Sequence, residues 1–153
     1  AIKLLTKEYI FPLYSNYMIF LFSPIVSLML ILMMWMIYPF WTNYMEFSMG
    51  LLYLMCCFSL SVYGMMMAGW SSNSNYAMLG AVRSLAQSIS YEVSLAIILI
   101  IPMLLVDNFN LNNLFMIQQM GYWLIILMWP LGLMFFISML AELNRTPFDF
   151  SEG

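Results

Sequence analysis

Residues 76–105, YAMLGAVRSLAQSISYEVSLAIILIIPMLL, decide how the rest of the chain is read. They form one long helical pattern, polar in its first half and apolar in its second. Residues 93–106 carry no charge, whereas Arg83, Ser84, Gln87, Ser88, Ser90, Tyr91, Glu92 and Ser94 crowd the earlier turns. At about 100° per residue, Gln87, Ser90 and Ser94 stay within roughly 40° of Arg83, while Ser84, Ser88 and Glu92 turn from roughly 100° to 180° away. Val82, Leu85, Ala86, Ile89 and Val93 fill the remaining arc, the side suited to lipid. At about 1.5 Å per residue, Glu92 comes roughly 24 Å along a helix of about 45 Å, near its middle.

A carboxylate at that depth needs a reason. Placing an acidic side chain at the bilayer centre costs roughly 2.5–3.5 kcal/mol, so such a group faces protein or trapped water and marks an ion path. A structural Glu, bonded to Ser or Tyr hydroxyls of a neighbouring helix, is the plainer alternative. Arg83 is only about 10 Å from the helix start, close enough to reach the interface. It is nine residues from Glu92 and points the other way, so the two form no intrahelical ion pair.

Composition fixes the class. Of 153 residues 65% are hydrophobic and only 7% charged, with no His, against about 25% charged in a soluble domain. The chain is an integral membrane protein, expected to be an all-α polytopic bundle in contact with lipid and without a nucleic-acid partner. Cys56 and Cys57 adjoin inside an apolar run. Without His they cannot complete a zinc, iron–sulfur or haem site, so no metal is expected in this chain, and both read as small buried hydrophobes. Lys3 and Lys7 precede an apolar run too long for a signal peptide. A start at Ala1 rather than Met, and a stop at Gly153 within a polar stretch, point to an internal fragment.

In order, residues 1–16 read as an interfacial segment. The first span is 17–38 (YMIFLFSPIVSLMLILMMWMIY), long enough for a core of about 30 Å and kinked at Pro24. Trp35, Tyr38 and Trp41 form an aromatic belt at its far end. A second span, 49–70, offers Gly64 and Gly69 for close helix contact. The turn at 71–75 supplies Ser74 or Asn75 as N-cap for the third span, 76–105. Residues 107–119 read as an Asn-rich loop. The fourth span, 122–142, is kinked if anywhere at Pro130, and Pro147 bars its helix from continuing into the polar acidic loop 143–153.

Four alternating spans sort the connections to two sides. Lys3, Lys7, Arg83 and Arg145, all the basic residues of the chain, fall on one of them, which the positive-inside rule makes the cytoplasmic or matrix face. Glu142, Asp149 and Glu152 gather on that side around Arg145, with Phe148 and Phe150 interleaved. Crowded carboxylates near a cation suit proton capture, and an ordinary solvated loop reads equally well.

Several motifs together resemble one family: residues 68–77 (AGWSSNSNYA), 79–83 (LGAVR), 86–93 (AQSISYEV), 140–149 (LAELNRTPFD) and 151–153 (SEG). Residues 3–8 (KLLTKE) add a weaker match. Together they resemble the NADH dehydrogenase subunit 1 family, the mitochondrially encoded membrane subunits of respiratory complex I, and the abundance of Met resembles invertebrate members. The resemblance implies that the four spans are family helices two to five, in the mitochondrial inner membrane with the basic side toward the matrix. It implies a subunit of proton-translocating NADH:ubiquinone reductase, lining the ubiquinone chamber and beginning an acidic path from it. Glu92 would be the intramembrane acid of that path, Glu142, Asp149 and Glu152 the acids at the chamber's edge, and Arg83 and Arg145 their charge partners. Arg145, Phe148 and Asp149 would belong to the chamber loop. Ubiquinone would be the substrate, with NADH, FMN and iron–sulfur clusters held only by partner subunits of the complex. A proton- or cation-coupled transporter, a membrane-bound hydrogenase subunit and a purely structural membrane subunit stand as the alternatives.

Overall fold

The computed structural model describes residues 2–8, 10–38, 46–121 and 123–150. Trp41, Tyr122 and Glu152 lie outside them. Every regular element among these residues is helical. A short helix α1 (Ile2–Leu5) precedes α2 (Tyr17–Met34), which tightens into a 3₁₀ turn at Trp35–Ile37. Then come α3 (Gly50–Ser71), α4 (Asn75–Leu104), α5 (Leu111–Gln119), α6 (Leu124–Leu127) and α7 (Trp129–Glu142). Three stretches are long and apolar enough to cross a bilayer: Tyr17–Ile37, Gly50–Ser71 and Asn75–Leu104. The result is a polytopic helical membrane bundle.

Pro24 stays inside α2 because its neighbour covers the loss. Proline has no N–H for the carbonyl of Phe20, four residues back. The Ser23 hydroxyl donates to that oxygen instead, at 3.0 Å. The fourth apolar segment meets a proline differently. It does not kink at Pro130 but breaks before it: Met128, at φ −124° and ψ 50°, separates α6 from α7, and Pro130 sits in the first turn of α7. That position spares the proline's missing N–H, because the first N–H groups of a helix have no partner within it. The expected fourth span, 122–142, is thus divided between α6 and the 14-residue α7, which alone rises about 21 Å.

Two further expectations need correcting. The Asn-rich stretch contains a helix, α5, because Asn110 caps it: its side-chain oxygen accepts from the Asn112 N–H at 3.0 Å. Leu111, Leu114 and Gln118 then recur on one face, where they line an apolar cavity of about 300 Å³ together with Ile98, Pro102 and Phe135. Nor does Pro147 end α7. The helix stops at Glu142 because Asn144 adopts the left-handed conformation, φ 48°. Asn144 N–H donates to Ala141 O at 3.3 Å and Arg145 N–H to Leu140 O at 3.1 Å, the paired bonds of a Schellman stop, for which Asn is the usual substitute for Gly.

The long helices pack in series, α2 on α3, α3 on α4, and α4 on α7. Their ends show the directions. Asn16 N–H donates to Ser71 O at 2.9 Å, and Leu51 N–H to Phe109 O at 3.2 Å, so α2, α3 and α4 alternate. Gln87, early in α4, bonds Ala141, late in α7, so α7 runs antiparallel to α4. Lys3, Lys7, Arg83 and Arg145 accordingly share one side of the bundle. Close contact between α3 and α4 rests on Gly69, where an added Cβ would overlap the Cβ of Ala81. Gly64 faces Ser27 of α2 with more room, its Cβ position 3.5 Å from the serine Cβ.

Candidate functional site

The buried face of α4 follows its sequence period: Ala81, Ser84, Gln87, Ser88 and Leu95 are buried, and Tyr91 and Glu92 half-buried. Val82, Ile89 and Val93 are exposed, as the lipid-facing arc requires. The serines of this helix are served by the helix itself. Ser84 donates to Ala81 O at 2.9 Å, Ser88 to Leu85 O at 3.0 Å, Ser90 to Gln87 O at 2.7 Å and Ser94 to Tyr91 O at 2.8 Å. Among the described residues no hydroxyl donates to the Glu92 carboxylate. Serine bonding therefore does not account for Glu92.

A second acid lies on the helix packed against α4. Glu142, the last residue of α7, is half-buried, and α7 packs on α4, the helix that carries Glu92. The sequence assigns Glu142 to the loop-edge acids and Glu92 to the membrane interior. Antiparallel packing of α4 on α7 brings together the two helices that carry them.

What holds α7 in this register is Gln87. Its Nε2 donates to the Ala141 carbonyl oxygen at 2.8 Å, a buried bond across 54 residues of chain. Beyond the Schellman stop the chain folds back over α4, where Phe148 meets Tyr91 edge-on, ring centroids 5.4 Å apart. Asp149 is half-buried in the same loop, while Arg145 is exposed. Arg83 is exposed near the start of α4, away from the Glu92 face. Both Arg83 and Asp149 have interaction partners. Glu152 lies outside the described residues.

Gln87 and Asn144 are the residues sequence reasoning undervalued. Each presents a side-chain oxygen that is shielded from solvent and receives no hydrogen bond from the protein. A glutamine between two serines on the packed face was the available signal for the first. For the second, an asparagine directly after a helix end signals only a turn. Cys56 and Cys57 remain thiols, Cys57 buried beside Tyr53.

Comparison with known proteins covers the whole chain. A family model described as NADH dehydrogenase matches residues 1–153. The curated NADH-ubiquinone oxidoreductase chain 1 of Aedes aegypti is 54% identical over 100% of this chain and 49% of its own length. The protein of the same name from Locusta migratoria is 55% identical over 100% of this chain and 48% of its own. The one from the mammal Sarcophilus harrisii is 46% identical over the same shares. The chain thus spans about half the length of the curated relatives it matches.

Proposed function

This chain belongs to the NADH dehydrogenase family, and from that premise we propose that it forms part of a membrane subunit of proton-translocating NADH:ubiquinone oxidoreductase. In this reading it helps wall the quinone chamber and carries the first acids of the path that couples quinone reduction to proton pumping. Its place is the mitochondrial inner membrane, with the basic side toward the matrix. Its partners are the hydrophilic quinone-site subunits on that side and neighbouring membrane subunits. NADH, FMN and iron–sulfur clusters belong to those partners, and ubiquinone is the substrate.

The observation that carries the reading is the packing of α4, which holds half-buried Glu92, against α7, which ends in half-buried Glu142. Quinone reduction consumes protons in a poorly solvated chamber, and nearby carboxylates feel the change in charge. At an effective dielectric of about 20, two unit charges 4 Å apart interact by about 4 kcal/mol, roughly a thousandfold in proton affinity. Protonating one member of a close pair therefore changes what its partner does. Glu142 lies at the end of α7, next to the loop that carries Asp149, and Glu92 lies on α4 within the membrane segment. A proton lost from the loop side would pass its effect to Glu92 across the packed helices, while the Tyr91–Phe148 ring contact holds the loop in place.

The test is Glu92→Gln in the full-length subunit within its assembled complex. The amide keeps size and shape but cannot ionise, so assembly should persist while proton pumping and quinone turnover fall. Full coupled activity in the assembled variant removes Glu92 from the path.

A further inference from the structure

The apolar cavity of about 300 Å³ lies at the end of the bundle remote from the basic residues. Leu51 of α3, Leu99 and Met103 of α4, Leu114 of α5, Leu124 of α6 and Phe135 of α7 all line it, so five helices converge on it and none fills it. Gln118 is the one residue with a polar side chain among the described lining residues. Two backbone interruptions meet there: Pro102, which has no N–H for the Ile98 carbonyl, and Met128, between α6 and α7. A second cavity, of about 360 Å³, shares Gln118, Leu124 and Ile125 with the first and adds Phe115, Gln119 and Trp123. Gln118, Gln119 and Trp123 are exposed, so the apolar cavity adjoins a mouth of mixed character.

Size and charge select the occupant. A cavity of about 150 Å³ lined by Leu, Ile and Phe stays dry and takes up benzene, so twice that volume suits a flexible chain of about twelve carbons. One helical turn, about 5.4 Å high and about 10 Å across, fills about 420 Å³, so a neighbouring helix does not enter. Lipid tails are as apolar as leucine and restore the packing contacts that an empty cavity forfeits. At the mouth, the amide groups of Gln118 and Gln119 and the indole N–H of Trp123 are neutral donors, suited to ester and phosphate oxygens. Clusters of Lys and Arg gather anionic lipids, and all four basic residues of the chain lie at the other end. This end carries Asp107, which is exposed. Asp107 lies two residues before Phe109, whose carbonyl accepts from the N–H of cavity-lining Leu51 at 3.2 Å. Its carboxylate attracts an amine-bearing headgroup and repels a net-negative one. We propose that the cavity between α4, α5 and α7 binds one acyl chain of a zwitterionic phospholipid from the leaflet opposite the basic side, with the headgroup at Gln118, Gln119 and Trp123. This site is independent of the function proposed above.

The test is cryo-electron microscopy of the assembled complex in nanodiscs of phosphatidylcholine with dibrominated acyl chains, whose bromines scatter strongly. The expected wild-type map shows chain density with bromine peaks inside the cavity. Leu114→Trp places an indole in that space and should remove this density while brominated lipid elsewhere on the complex stays. A wild-type cavity that is empty, or filled by a side chain of the same or a neighbouring subunit, overturns the site, and this map decides even if the variant fails to assemble. Density unchanged in Leu114→Trp also overturns it. In equal mixtures with phosphatidylglycerol, bromine signal in the cavity should be about fivefold stronger when phosphatidylcholine carries the label, the factor for one charge contact in water. Asp107→Asn should abolish that preference, and its backbone at φ 51° is one that Asn tolerates. Equal signals in the wild type overturn the headgroup assignment, and a preference that survives Asp107→Asn overturns the part given to Asp107.

Discussion

Phe148 stands edge-on to Tyr91, with ring centroids 5.4 Å apart and planes at 65°, so the loop beyond α7 is fixed to α4 one residue from Glu92. Such a pair contributes about 0.5–1.5 kcal/mol beyond its buried area. Phe148→Ala should ease local opening about fivefold, seen as faster amide exchange across residues 145–150 in the assembled complex. Tyr91→Phe keeps both rings and should exchange like the wild type. If Phe148→Ala leaves exchange unchanged, the loop is held by something else.

Glu92 and Glu142 act as one unit if each senses the other's charge. Groups coupled through one network have non-additive effects. Each single change to Gln should lower pumping, and the double variant should be no worse than the poorer single. Effects that multiply in the double variant would make the two acids independent and remove the coupling step.

Gly69 and Gly64 separate close packing from ordinary packing. A Cβ at Gly69 would overlap that of Ala81, which is fixed to the α4 backbone, whereas at Gly64 it would sit 3.5 Å from the Ser27 Cβ. Overpacking of the first kind costs about 1–3 kcal/mol. Gly69→Ala should lower the yield and thermal stability of the complex, and Gly64→Ala should be tolerated. Adding Ala81→Gly to Gly69→Ala should restore part of the loss, because it removes the atom in the way. Equal stability of the two single variants would contradict the contact.

Much of this was legible in the chain, and the limits follow from distance. Hydropathy located the three long helices because a bilayer-length apolar run is a local signal. The shared side of Lys3, Lys7, Arg83 and Arg145 followed from counting spans. The period of α4 separated exposed Val82, Ile89 and Val93 from buried Ser84 and Ser88. What failed was of two kinds. Proline was misjudged twice, since Pro130 begins a helix and Pro147 ends none; the stop at Glu142 belongs to Asn144, whose left-handed backbone no run of hydropathy reveals. That Glu142 ends a helix packed against the one carrying Glu92 depends on how α7 docks on α4, where Gln87 bonds Ala141. No local pattern encodes a contact across 54 residues.

The Asn-rich stretch shows how a short helix survives on its cap. α5 has nine residues and buries none of them fully, and isolated helices of that length are marginal. Asn110 accepts from the Asn112 N–H at 3.0 Å, an arrangement whose loss to Ala costs about 1 kcal/mol. The helix matters because Leu111 lies against Gly50, where an added Cβ would be 3.7 Å from its Cδ1, and because Leu111 and Leu114 line the cavity beside Pro102. Asn110→Ala should therefore speed amide exchange throughout residues 111–119 by about fivefold, while Asn110→Asp, which keeps an accepting oxygen, should match the wild type. The effect should stay at this end of the bundle: exchange near Gln87 and Ala141 is unaltered if the cavity and the acid pair are separate features. Slowed pumping in Asn110→Ala would show that α5 communicates with the acids.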